Sequence, residues 1–293
     1  MTAGAHPDPA NATIRGLGIG AYKAGTTSLW QILRQQPWFD APSMKELNYF
    51  STRYDLGEDW YRAQFPPAAH GRVTAEISPS YLRSPDAPGR AHRFDPTQRV
   101  FAILRDPVER ARSAFDMFHR NGRVDPSTTL LDLLQQQATG TRRPALIRAG
   151  DYAIQLAPWM DLFGHDAVHV LFLEELVRDP GPVCRALFDH LGVDASTITS
   201  TSVTPQTLPH ANAAPEVRSP TAKRFLRRMA LRTANRGQVW TSTRITKVAG
   251  LLDRDPEDFE GSRMSEEERA VIRGYYEEEM QRLGELLARP LPW

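Results

Sequence analysis

The chain has 293 residues, enough for one large α/β domain or two small ones with a substantial core. Charged residues make up 24% and hydrophobic ones 41%, an ordinary globular balance. With 36 basic residues against 35 acidic, the net charge is +1, which excludes any global pull toward nucleic acid or a membrane surface. Cys184 is the single cysteine, so no intramolecular disulfide is expected and no Cys/His set has zinc spacing. A reducing, cytoplasmic setting without a metal centre is the resulting expectation. Residues 1–13 are Ala-, Pro- and polar-rich without an apolar h-region, so they are expected to be disordered and not a signal peptide. No apolar run is long enough to predict a transmembrane helix.

The first predicted element is a short buried strand over Ile14–Ile19. A Gly-containing turn, Gly20–Thr26, leads into a helix over Thr27–Gln35 with Leu29, Ile32 and Leu33 on one face. Lys45–Phe50 is a short apolar-aromatic segment after a Pro-containing turn, and Trp60-Tyr61 predicts a short helix that stops before Pro66. Val73–Ile77 is a candidate strand. Val100–Leu104 (VFAIL) is a continuous apolar run, as in a parallel strand covered on both faces. Pro107 suits a first helical turn, so a helix is predicted over Val108–His119, and another over Leu130–Gln137. Tyr152–Phe163 reads as helix, Val168–Phe172 as strand, and Pro182–Leu191 as a helix ending at Gly192. Ser265–Leu287 is predicted as one helix with Ser265 as N-cap and acidic residues in the first turn. Strands alternating with helices predict a central parallel sheet flanked by helices. Residues 14–293 are expected to form a single domain, with 196–262 an irregular insertion or lid over an acceptor site.

The segment richest in chemistry is Gly18–Ser28. A loop between a buried strand and a helix presents free backbone N–H groups at the positive end of the helix dipole. Gly25 permits close approach of an anion, Thr26, Thr27 and Ser28 add hydroxyl donors, and Lys23 adds full charge. The bland alternative is a glycine turn with a solvated lysine. A nucleotide kinase would carry GxxxxGK[ST]; here Gly20 and Gly25 have that spacing, but Thr26 stands where the lysine belongs. Past the VFAIL strand come Arg105 and, about two helical turns on, Ser113. A guanidinium at a strand end can hold a phosphate with paired N–H bonds. Asp106, Glu109, Arg110 and Arg112 are expected to form helix-cap and surface ion pairs.

Lys23-Ala-Gly-Thr-Thr-Ser-Leu29 resembles the 5′-phosphosulfate loop of the sulfotransferases that use 3′-phosphoadenosine 5′-phosphosulfate (PAPS), closest to the carbohydrate and heparan-sulfate branch and its bacterial relatives. VFAILRDPVERARS, residues 100–113, resembles that family's 3′-phosphate segment. Lys45-Glu-Leu-Asn-Tyr-Phe50, Trp60-Tyr61, Glu76-Ile-Ser-Pro-Ser-Tyr-Leu82, Gly150-Asp-Tyr152 and Glu174–Pro180 match further family segments. The resemblance covers residues 14–194 and 265–293.

It implies a P-loop-like fold, PAPS as co-substrate with 3′,5′-adenosine bisphosphate (PAP) as product, and transfer to a small-molecule, glycan or glycolipid acceptor. It implies that Lys23, Ala24, Gly25, Thr26, Thr27 and Ser28 hold the 5′-phosphosulfate, and that Arg105 and Ser113 bind the 3′-phosphate. Arg218 faintly resembles a bacterial residue that reaches the same phosphate. Lys23 is implied as the stabiliser of the leaving oxygen and Glu46 as the general base, against a bland reading of Glu46 as a surface carboxylate paired with Lys45. Where some relatives carry His, this chain has Asn48, which can hydrogen-bond an acceptor but cannot be a base. Glu76 and Ser78 are placed at the floor of the acceptor site, and Tyr81 is read as packing. The Arg-rich piece from Lys223 to Arg232 is read as a solvated helix face. The Ala/Arg/Pro-rich composition suggests a bacterial enzyme. The competing readings are a kinase, which would need Mg²⁺ and ATP, and a non-catalytic nucleotide-binding protein of the same fold.

Overall fold

A computed structural model describes residues 14–193, apart from 68, 69, 126, 139 and 141, and residues 264–293. The expectations for residues 1–13, the 196–262 insertion, Arg218 and the Arg-rich piece lie outside the described residues. The chain divides into two compact units: Met1–Asp106 with Asp151–His210 and Glu277–Trp293, and Pro107–Gly150 with Ala211–Tyr276.

The first unit holds the sheet. Its strands are β1 (Ile14–Gly20), β2 (Phe39–Asp40), β3 (Val73–Ile77), β4 (Arg99–Leu104) and β5 (Val168–Phe172). They run in the order β2-β3-β1-β4-β5, and every pairing is parallel. The apolar runs that predicted β1, β3, β4 and β5 are buried on both faces, as a parallel sheet requires. Successive residues of β4 part to opposite sides: Val100, Ala102 and Leu104 join one core cluster, Phe101 and Ile103 the other. Glycines in β1 make room for this packing. A Cβ on Gly18 would lie 2.8 Å from both Ile77 and the Phe101 ring, so the absent side chain is what lets Phe101 cross the central strand. β2 is too short to leave a periodic signal and was not predicted.

The helices of this unit are α1 (Thr26–Arg34), α2 (Tyr49–Thr52), α3 (Glu58–Arg62) and α4 (Ala87–Phe94) in its first stretch. The buried face of α4 consists of small residues, Ala87, Pro88 and Ala91, with Pro88 in its first turn.

The second unit begins with α5 (Pro107–Arg120), α6 (Leu130–Gln137) and α7 (Ala145–Arg148). Thr129 and Asp132 form a reciprocal capping box at α6. The chain then returns to the first unit with α8 (Tyr152–Phe163), α9 (Leu173–Arg178) and α10 (Pro180–His190).

The predicted C-terminal helix is two: α11 (Glu266–Gly274) in the second unit and α12 (Glu277–Leu287) in the first. Ser265 does cap α11, with Glu268 completing the box. The break has a local cause. Gly274 is a poor helix former, and Tyr276 is pinned, 1% exposed, with its hydroxyl donating to the Ile147 carbonyl at 2.6 Å. Arg110 also corrects its expectation as a surface ion-pair residue. It is fully buried and donates to the Leu146 carbonyl, whereas Glu109 and Arg112 do form ion pairs, with Arg269 (2.7 Å) and Asp116 (2.9 Å).

One packing detail carries a pH consequence. His169 of β5 stacks on His190 at 5.2 Å, and His190 Nε2 meets the Val100 carbonyl at 2.9 Å. Burial first, then the charges of His190 and Arg289, hold His169 down to about 4. Its unfolded value is near 6.5, so the folded state binds the proton more weakly. Stability is therefore full above pH 6.5 and falls as the pH drops toward 4, by up to about 3 kcal/mol. His169→Gln is expected to flatten this acid-side slope in denaturant midpoints taken from pH 7 to 4. An unchanged slope would show that His169 titrates normally.

Candidate active site

Five parallel strands send their following loops off one edge of the sheet, where open α/β sheets bind ligands. The loop after β1 is the most constrained of them. Lys23 has φ 67° and Gly25 φ 89°, both left-handed. A left-handed lysine costs about 1–2 kcal/mol, so the surrounding structure holds this turn against its local preference. At Gly25 only glycine fits, because a Cβ would also lie 2.6 Å from Leu173 Cδ1.

Gly25 is the N-cap of α1, and no side chain caps that helix. The first-turn N–H groups of this nine-residue helix lie at the positive end of its dipole, where an anion is favoured. Lys23, Thr27 and Ser28 are partly exposed beside this turn. Ala24 and Thr26 are buried at 0% and 6%, so they contribute backbone more readily than side chain.

The loop after β4 begins with Arg105, partly exposed. Its carbonyl accepts from Tyr152 OH at 2.9 Å, and the Asp106 N–H donates to Glu174 Oε1 at 3.0 Å. Burial pushes the Glu174 carboxyl up, while the Asp106 N–H and the Arg105 charge oppose this. Ser113 lies on α5, in the second unit.

The third segment is Lys45–Asn48. Glu46 and Asn48 are both left-handed, at φ 63° and 53°. Asn tolerates this geometry; Glu does not, which marks a held backbone. Asn48 is tied three ways: its N–H donates to Ser78 Oγ (2.9 Å), its Oδ1 accepts from Ser80 Oγ (2.6 Å), and its Nδ2 donates to the Glu46 carbonyl (2.8 Å). The Glu46 carboxylate is 46% exposed and pairs with Lys45 Nζ at 2.6 Å. The ion pair of the bland reading is therefore present.

Glu76 and Ser78, expected at the acceptor-site floor, are 1% and 0% exposed. They lie beneath this segment and present no surface of their own. Glu76 accepts from Tyr61 OH (2.8 Å), Tyr81 OH (2.7 Å) and Ser78 Oγ (2.7 Å). Tyr81, read as packing, is buried and also donates. Tyr61, Ser80 and Glu174 were not singled out as site residues. A carboxylate inside the buried strand VTAEI was the available signal, since a buried charge needs partners.

An all-parallel open sheet with a glycine-led helix start after its central strand defines a P-loop-like α/β protein. Comparison with known proteins gives the family. The sulfotransferase domain model matches residues 17–214, and the chain belongs to the sulfotransferase family.

Among its relatives, heparan sulfate glucosamine 3-O-sulfotransferase 6 of Mus musculus is 32% identical over 177 residues, 60% of this chain and 51% of that protein. The bifunctional heparan sulfate N-deacetylase/N-sulfotransferase 3 of Homo sapiens is 30% identical over 195 residues, 60% of this chain and 22% of that protein. The chain thus spans about half the length of the first relative and less of the second. A sulfotransferase crystal structure from Alicyclobacillus acidocaldarius shares the fold, with a TM-score of 0.65 and 23% identity over 96% of this chain and 98% of that one.

Proposed function

We propose that the chain transfers a sulfuryl group from PAPS to a hydroxyl or amine of a glycan, glycolipid or small-molecule acceptor, releasing PAP. The observation that carries this reading is the β1–α1 turn, with Lys23 and Gly25 left-handed ahead of a helix whose N-cap is a glycine. That turn suits a 5′-phosphate: backbone N–H groups from Gly25 to Ser28 supply neutral donors, the Thr27 and Ser28 hydroxyls add two more, and Lys23 supplies charge. Arg105 past β4 is taken to hold the 3′-phosphate, with Ser113 assigned to the same group by the family motif.

The acceptor oxygen or nitrogen attacks sulfur while the bond from sulfur to the 5′-phosphate oxygen breaks. Negative charge grows on that leaving oxygen, where the Lys23 ammonium stabilises it. Glu46 takes the acceptor's proton, and Asn48 orients the acceptor by hydrogen bonding. Glu46 leaves its pairing with Lys45 to do so. The single cysteine, buried in this structure, and the Ala/Arg/Pro-rich composition support a bacterial, cytoplasmic setting.

Calorimetry of PAP against ADP, each with and without Mg²⁺, tests the reading. PAP is expected to bind independently of Mg²⁺ and at least about tenfold more tightly than ADP, the worth of one charge-assisted contact to the 3′-phosphate. Preference for ADP with Mg²⁺ would sink it and favour a kinase.

A further inference from the structure

Strand β3 places a carboxylate in the middle of the core. Glu76 is 1% exposed, and the groups hydrogen-bonded to it are all donors: the Tyr61, Tyr81 and Ser78 hydroxyls and the Leu47 N–H. An ionised carboxylate, which only accepts, is the side chain that can serve four donors at once. Two of the four act on the segment that carries Glu46. Leu47 is bonded directly. Ser78 has its proton committed to Glu76, so its lone pair is left to accept the Asn48 N–H at 2.9 Å. Asn48 in turn donates from Nδ2 to the Glu46 carbonyl at 2.8 Å, and Ser80 holds its Oδ1. Arg53 closes the segment from its other side by donating to the Leu47 carbonyl at 3.1 Å. A continuous line of hydrogen bonds thus runs from the buried carboxylate to the two residues whose backbone is left-handed.

We infer that Glu76 is a positioning residue, which fixes the backbone of Glu46–Asn48 and through it the direction of the Glu46 carboxylate and the Asn48 amide. The inference rests on the reading of Glu46 as the base. The tyrosines support it. Burial first, then the Glu76 charge, hold the Tyr61 and Tyr81 hydroxyls well above the ordinary phenol range, so both stay neutral donors. Burial pushes the Glu76 carboxyl up, and its hydrogen bonds from Ser78, Tyr81, Tyr61 and Leu47 oppose this. The remaining charged groups on the segment are Lys45, Glu46 and Arg53, of which Lys45 and Glu46 pair with each other.

The test uses the full chain, labelled with ¹⁵N and with ¹³C at the glutamate carboxyls, titrated by NMR. The Leu47 and Asn48 amides and the Glu46 carboxyl are expected to share an inflection at the pH where Glu76 titrates. Glu76→Gln replaces an acceptor oxygen with an NH₂ that faces donors. It is expected to remove the shared inflection and to speed hydrogen exchange at both amides about tenfold, the loss of roughly one hydrogen bond, while PAP affinity in calorimetry stays unchanged. No shared inflection in the wild type, or one that survives Glu76→Gln, overturns the inference. Should Glu76→Gln fail to fold, Ser78→Ala keeps the carboxylate and its bond from Leu47 while removing the Ser78 hydroxyl that bridges Glu76 to Asn48. The Asn48 inflection should then vanish while that of Leu47 remains, and persistence of both is the contrary result. A wild-type chain that does not bind PAP would sink the donor reading while leaving the NMR coupling to be judged by itself.

Discussion

Lys23→Ala is expected to lower kcat for sulfuryl transfer about 10²–10³-fold while changing PAP affinity only a few-fold. The asymmetry follows from where charge develops. PAP already carries its phosphate charge, and the backbone N–H groups of Gly25–Ser28 with Arg105 are taken to hold most of it. The ammonium matters most when the sulfur–oxygen bond breaks and a new negative charge appears on the bridging oxygen. The left-handed backbone at Lys23 is consistent with this, because it sets the side chain on the loop itself and not within the helix. Single-turnover transfer from labelled PAPS, read beside PAP calorimetry, separates the two quantities. Equal losses in rate and affinity would mean that Lys23 only binds nucleotide, and would strengthen the view of a binding protein without turnover.

Glu46→Gln is expected to reduce kcat about 10²–10⁴-fold with a smaller change in acceptor KM, read from steady-state kinetics. The amide keeps the size and most hydrogen bonds of the carboxylate but cannot take a proton. The competing account is also on view, since Glu46 is 46% exposed and paired with Lys45. Exposed pairs of this kind contribute about 0–1 kcal/mol. If the pair is all that Glu46 does, the variant should retain rate within a few-fold. A carboxylate that serves only a surface pair gives no reason to hold its backbone left-handed, and that favours the larger effect.

Much of the fold was legible because its signals are local. VFAIL, VHVLF and VTAEI announced buried strands, and all three lie in the parallel sheet. The helices expected over Leu130–Gln137 and Tyr152–Phe163 have those same bounds in the structure. The misses share a cause. α4 buries only the small residues Ala87, Pro88 and Ala91, β2 is two residues long, and the C-terminal helix reads as continuous until Tyr276 finds its partners at Ile147 and Gly150, more than a hundred residues earlier. Arg110 belongs with these. Nothing in its neighbourhood along the chain distinguishes a buried arginine from a solvated one.

The sequence by itself determined four of the five strands, the glycine-containing turn between β1 and α1 and the family, since apolar runs, glycine placement and motif spacing are written in neighbouring residues. Only the tertiary structure decided that Glu46 faces solvent beside Lys45, that Glu46 and Asn48 are left-handed, and that Glu76 and Ser78 lie beneath them as support and not as surface. The reason is physical. Which donor meets a buried carboxylate depends on burial and on segments about 30 residues apart along the chain, as with Asn48 and Ser78, and no local pattern encodes that meeting.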